Sequence, residues 1–153
     1  IKSGEFSVEC MHPCKGYNYE SANDYSAVYL VEYGDFSMLM TGDAEKKAEK
    51  CIVEDVNRIA GDADTSARLV SVNILKVGHH GSKGASSEEF LSYVKPENAL
   101  ISCGAGNSYG HPHTQTLQRL SGIGAKVYRT DESGEIAVRV RDGLYKIEVF
   151  KAL

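Results

Sequence analysis

The sequence predicts an α/β layered domain, a mixed sheet with flanking helices, and three observations carry that expectation. Runs rich in β-branched and aromatic residues recur along the chain and outnumber the helical stretches. Through the middle they alternate with segments of helical periodicity that end at Gly or Pro. With 153 residues, 42% of them hydrophobic, the chain suits one domain with a real core.

Glu5 to Cys10 alternates polar and apolar residues and reads as a strand with one wet face. His12 to Asp24 is rich in Pro, Gly, Asn, Ser and Tyr and reads as a loop. Ser26–Tyr33 and Phe36–Thr41 are two strands joined by Gly34-Asp35, a connection short enough for a tight hairpin. The second is nearly all apolar and is expected to be buried on both faces. Ala44 to Ala60 places Ala48, Ile52, Val56 and Ile59 on one helical face, and Gly61 is the expected stop. Asp62 to Arg68 is a polar link, and Val72–Val77 the next strand.

Ser86 with Glu89 fits a capping box opening a short helix that carries Phe90, Leu91 and Val94 and stops at Pro96. Asn98–Cys103 is another buried strand. Pro112 suits the first turn of a helix whose buried stripe is Leu117 and Leu120. Ala125–Thr130, Glu135–Arg141 and Leu144–Phe150 complete the strands, the last two joined by an Asp142-Gly143 turn.

Seventeen basic and 21 acidic side chains leave a formal charge of −4, so there is no basic footprint of the kind that tight duplex binding needs. A nucleic-acid substrate held through a metal remains compatible, because an ion supplies positive charge locally. No apolar run approaches the ~18 residues of a membrane span, and the chain is expected to be soluble, making no membrane contact of its own. It opens on Ile1 without a Met, which suggests a piece of something longer. Cys51 and Cys103 sit in apolar contexts and read as small core residues, whereas Cys10 and Cys14 either pair or stay free. Cys10-Met11-His12-Pro13-Cys14 offers three soft ligands without the spacing of a zinc knuckle, and reads as a loop.

Two stretches carry the chemistry. Thr41-Gly42-Asp43-Ala44 puts a carboxylate at one strand end, and Gly78-His79-His80-Gly81-Ser82 puts two imidazoles at another. Asp43 has a competing structural role as a helix N-cap. The adjacent imidazoles are rarely needed for packing, and the glycines around them permit close approach of a ligand. If Asp43 and His80 share a metal, zinc or manganese suits an oxygen and an imidazole nitrogen. His79, His111 and His113 are then candidates to orient substrate or protonate a leaving group, and Ser82, Asn107 and Tyr109 to bind substrate oxygens. Gly104-Ala105-Gly106 after a strand is no dinucleotide fingerprint, since the third glycine is misplaced and Pro112 delays the helix.

Four segments taken together are specific: Asn23-Asp24-Tyr25-Ser26, Leu39-Met40-Thr41-Gly42-Asp43-Ala44, Leu75 to Ser82, and Asn107-Ser108-Tyr109-Gly110-His111-Pro112-His113. In this order, over residues 23 to 134 and closing with Tyr128-Arg129-Thr130-Asp131, they resemble the metallo-β-lactamase superfamily. The branch they resemble is the ComEC type, named for the hydrolase-like domain of the bacterial DNA-internalisation competence protein. The resemblance implies that Asp43 matches the metal-bridging aspartate and His80 the last metal histidine, with His79 beside the substrate. His111 and His113 match a second active-site loop of the branch.

The family's main ligand cluster, an H-x-H-x-D-H-like run in the N-terminal half of an αββα sandwich, is missing. The only His before Asp43 is His12. The chain, residues 1–153 as a single domain, therefore resembles the C-terminal half, with the N-terminal half as its missing partner. The expected function is that of a metal-dependent hydrolase of phosphodiesters or related esters, a nuclease in DNA uptake among them, using one or two ions, here as an inactive fragment. Two alternatives stand beside it. One is a non-catalytic binding or assembly module that pairs as a homodimer through open strand edges. The other is a hydrolase of lactones, thioesters or phosphorylcholine esters. The parent is expected to be bacterial; the branch it resembles is often exported or membrane-attached, while these 153 residues by themselves assign no compartment.

Overall fold

The computed structural model describes residues 1–14, 16–59 and 71–151. Its centre is a seven-stranded mixed sheet whose strand order equals chain order. β1 (Lys2–Ser3), β2 (Phe6–His12), β3 (Val28–Tyr33) and β4 (Phe36–Met40) form an antiparallel meander. β5 (Ile74–Lys76), β6 (Asn98–Ile101) and β7 (Lys126–Arg129) extend it in parallel from β4.

Parallel neighbours need crossovers, and here α1 (Lys46–Ile59), α2 (Glu88–Val94) and α3 (Thr114–Gly122) lie on those connections. Right-handed crossovers that always step the same way put their helices on one face. The core agrees: Leu39, Leu75, Ala99 and Ile101 of the sheet pack with Ile52, Val56, Phe90, Leu91 and Leu120 of the helices.

The alternate residues Phe36, Ile74 and Leu100 point the other way, under Ile136, Val138 and Ile147 of a hairpin. That hairpin is β8 (Glu135–Arg141) and β9 (Leu144–Phe150), which follow a helical turn, α4 (Thr130–Ser133). Asp142 and Gly143 both take positive φ, the pair of values that a two-residue turn matching strand twist demands. The hairpin does not reach the whole of this face. Met40 is 41% exposed and its cross-strand partner Tyr29 40%, so β4 is not buried on both faces as its composition suggests.

Other expectations need correction. α1 begins at Lys46 rather than Ala44, so Asp43 lies outside its cap position. Ala60, Gly61 and the link from Asp62 to Arg68 lie outside the described residues. The cap of α2 is Ser87, whose extended backbone lets its hydroxyl accept from the Phe90 N–H, whereas Ser86 takes φ +54°, outside the cap conformation. Cys14 pairs with Cys51 in a disulfide, not with Cys10, and Cys51 is thus more than a core filler. Cys10 is free and exposed, and Cys103 free and partly covered. Among the described residues no helix is long and apolar enough to cross a membrane.

Candidate functional site

All the residues singled out from the sequence sit at the C-terminal ends of the parallel strands, where open α/β sheets collect their ligands. The Gly42–Glu45 turn leaves β4, Gly78–Ser82 leaves β5, and the Ser102–His113 loop leaves β6. Gly78 holds the first two together: a Cβ there would lie 2.8 Å from the Ala44 carbonyl oxygen, so only glycine lets these turns touch. His79 and His80 follow in a 3₁₀ turn with φ of 43° and 54°. Two consecutive non-glycine residues in the left-handed region cost roughly 1–3 kcal/mol each, and such strain concentrates at functional sites.

The turn aims the two imidazoles differently. His80 Nδ1 donates to the Ser102 carbonyl at 2.6 Å, which leaves Nε2 as its lone-pair nitrogen, 3.8 Å from Asp43 Oδ1. That separation is too long for a good hydrogen bond, yet it suits two atoms bound to one ion at about 2.0–2.2 Å each. A backbone acceptor on the far nitrogen is the usual partner of a metal-binding histidine. Both side chains are about half exposed, and the Asp43 N–H is held by Ser26 Oγ at 3.2 Å. Asp43 and His80 thus fit the role of two ligands. Among the described residues no third ligand group gathers with them; the one buried set of three lies elsewhere, at His12, Cys14 and Cys51.

His79 is turned into the opposite wall. Its Nδ1 lies 2.7 Å from Glu45 Oε1 and 3.4 Å from the Asn23 amide nitrogen. The shorter contact makes Nδ1–H the donor to Glu45 and frees Nε2 as an acceptor. His111 stands between the groups, its ring centroid 5.5 Å from His79, 6.3 Å from His80 and 4.9 Å from His113. Burial first, then the neighbouring imidazoles, push its pKa down, so it is held in the neutral form.

The remaining candidates divide. Asn107 braces its own loop, donating to the Gly104 and His111 carbonyls and accepting from the His111 N–H, so it shapes the site and has little left for a ligand. His113 Nδ1 accepts from the Lys83 N–H at 3.1 Å. Ser82 is buried and leans on Glu45 at 3.4 Å. Tyr109 is 77% exposed, stacked on His111 at the rim of a cleft of about 300 Å³ walled by His80, Cys103 and Asn107.

Glu45 and Lys76 are functional neighbours that the sequence reading did not single out. Glu45 had a signal, a second carboxylate two residues after Asp43. Lys76 had none: burial lowers its pKa, and the Asp43 charge raises it in return. The Ser102 carbonyl is a backbone group and leaves no trace in a sequence.

This centre can be set beside known proteins. The chain is 38% identical over 130 residues to the ComE operon protein 3 of Bacillus subtilis, matching 85% of this chain and 15% of that protein. It is 38% identical over 116 residues to Recombination protein 2 of Haemophilus influenzae, 76% of this chain and 13% of that protein. What the chain resembles is competence-related. Competence protein ComA of Neisseria gonorrhoeae is 34% identical over 128 residues, 84% of this chain and 17% of that protein. The chain therefore spans less than a fifth of the length of these relatives. No family model matches it. No solved structure matches it either.

Proposed function

We propose that this chain is the C-terminal part of a metal-dependent hydrolase of the metallo-β-lactamase superfamily, acting on a phosphodiester in DNA uptake. The observation that carries the reading is the Asp43–His80 pair, 3.8 Å apart, with the far nitrogen of His80 already committed to Ser102. The similarity to a protein named for competence supports the biological setting.

Asp43 and His80 would hold the ion, zinc or manganese. Such an ion, when bound, supplies a water acidified toward neutral pH and offsets phosphate charge. His79, its ring fixed by Glu45, presents Nε2 to take a proton from an attacking water or to return one to a leaving oxygen. His111, whose pKa is pushed down by burial and the neighbouring imidazoles, favours its neutral form and would offer a hydrogen-bonding nitrogen to the substrate beside it. Tyr109 offers an exposed aromatic face and hydroxyl for the substrate at the cleft rim. Ser82 and Asn107 shape the walls, and His113 keeps Nε2 free for a substrate oxygen.

Two ligands fall short of the three or four of a zinc site. The remaining ligands would come from an N-terminal half packing on the face where Met40 and Tyr29 lie exposed. The test uses the complete parent protein with a phosphodiester substrate and divalent metal. Asp43→Ala and His80→Ala each should lower turnover by at least ~100-fold and reduce bound metal. Unchanged turnover and metal content in either variant would reject the assignment.

A further inference from the structure

The described residues hold a second cluster of metal-ligating groups, far in character from the first. His12, Cys14 and Cys51 each offer one ligand atom, and these atoms lie within 4.8 Å of one another. All three side chains are buried, His12 and Cys51 at 0% exposure and Cys14 at 7%, so the loop residue Cys14 is the member that an external thiol reaches. The loop residue Cys14 meets Cys51 of α1 across 37 positions, with Cα atoms 6.6 Å apart and the sulfurs joined. His12 is pre-oriented, since Nδ1 donates to the Ser26 carbonyl at 2.8 Å and Nε2 is the acceptor nitrogen. A backbone carbonyl on one ring nitrogen is how proteins set the other for a soft metal.

We propose that Cys14, Cys51 and His12 form a redox-gated zinc site: a disulfide when oxidised, and a two-thiolate, one-imidazole site when reduced. The gate opens by exchange with an external thiol. One thiolate attacks a disulfide sulfur, a second releases the mixed disulfide, and two thiols of the protein form as two of the reductant join in their own disulfide. Zinc then binds as both thiols lose their protons to solvent. Two sulfurs on one tetrahedral ion stand about 3.8 Å apart, so the pair must separate, which side-chain rotation allows while the backbone keeps its spacing.

Tyr19 is the competitor for the third ligand: its hydroxyl donates to His12 Nε2 at 2.8 Å, and its ring lies 5.0 Å from the imidazole. It must let go of Nε2 for the ion to enter. The ion would also brace the first centre, because Ser26 accepts from His12 through its carbonyl and from the Asp43 N–H through its hydroxyl.

The test is cobalt and zinc titration of the 153-residue chain, reduced or oxidised, followed by desalting, metal analysis and thiol counting. Reduced chain should retain one zinc and show a thiolate-to-cobalt charge-transfer band, whereas oxidised chain should show no band. Cys51→Ser and Cys14→Ser should each weaken zinc binding more than ~100-fold, beyond what a neighbouring contact costs. His80→Ala should leave the band in place, which separates this site from the proposed hydrolytic centre. A folded reduced chain without the band would overturn the proposal. So would equal zinc retention by reduced and oxidised chain, or a reduced chain that unfolds and that zinc does not restore.

Discussion

The two histidines that are adjacent in sequence are oriented differently because each is held by a different acceptor on Nδ1. A carbonyl holds His80 and a carboxylate holds His79, and each leaves Nε2 as the free nitrogen. The same residue scale gives a prediction about Cys103, at the edge of the cleft. Burial, then the Asp131 carboxylate, push its thiol up to about 11. At pH 8 its thiolate fraction is therefore about one in a thousand, and only the thiolate reacts. Alkylation at pH 8, followed by peptide mass spectrometry, should label the exposed Cys10 at least ~100-fold faster than Cys103. The Cys103 rate should climb about tenfold per pH unit and level off near pH 11. Equal labelling at pH 8 would contradict that environment.

At the scale of elements, the histidine turn is held from outside by two helices. Glu49 of α1 accepts from the Ser86 N–H and, at 2.9 Å, from the Ser87 N–H. Arg119 of α3 donates to the Ser86 and Ala85 carbonyls at 2.7 and 2.8 Å, and Thr116 donates to the Ser82 carbonyl at 2.8 Å. The clamp fixes the loop that follows His80 from both sides. Glu49 is buried, and desolvation pushes its pKa up while the two N–H groups pull it back. Glu49→Ala strips both N–H groups of their acceptor and should cost about 2–4 kcal/mol in denaturant unfolding. A loss under about 0.5 kcal/mol would mean that the clamp bears no load.

Much of this layer was legible. The strand and helix order followed from periodicity, and Glu135–Arg141 with Leu144–Phe150 matched residue for residue. What could not be read were tertiary choices. Ser86 and Ser87 are equal caps until the tertiary fold bends Ser86 to φ +54° and leaves Ser87 extended, and Cys14 finds Cys51 only once α1 folds back on the loop. The start of α1 at Lys46 was equally hidden, because the Lys46 N–H bonds to the Gly84 carbonyl, in a turn 38 residues away.

At the scale of the whole molecule, monotonic strand order stacks the helices on one face and gathers the loops of β4, β5 and β6 at one end. The opposite face is half covered by the β8–β9 hairpin, and Tyr29 and Met40 extend beyond it. Sequence alone placed Asp43 and His80 at neighbouring strand ends, where the structure sets them 3.8 Å apart, since such a placement survives any small error in boundaries. It could not locate Glu45 as the partner of His79, because that contact depends on two left-handed residues bending the turn back.

The central claim is that Asp43 and His80 are ligands of one ion. The most direct measurement is manganese titration of the oxidised chain followed by amide NMR, which detects a weak site through paramagnetic broadening. The account predicts that signals of Gly42–Ala44, Gly78–Gly81 and Ser102 broaden first, that zinc competes, and that Asp43→Ala abolishes the effect. Broadening spread over surface carboxylates and unchanged in Asp43→Ala would contradict it.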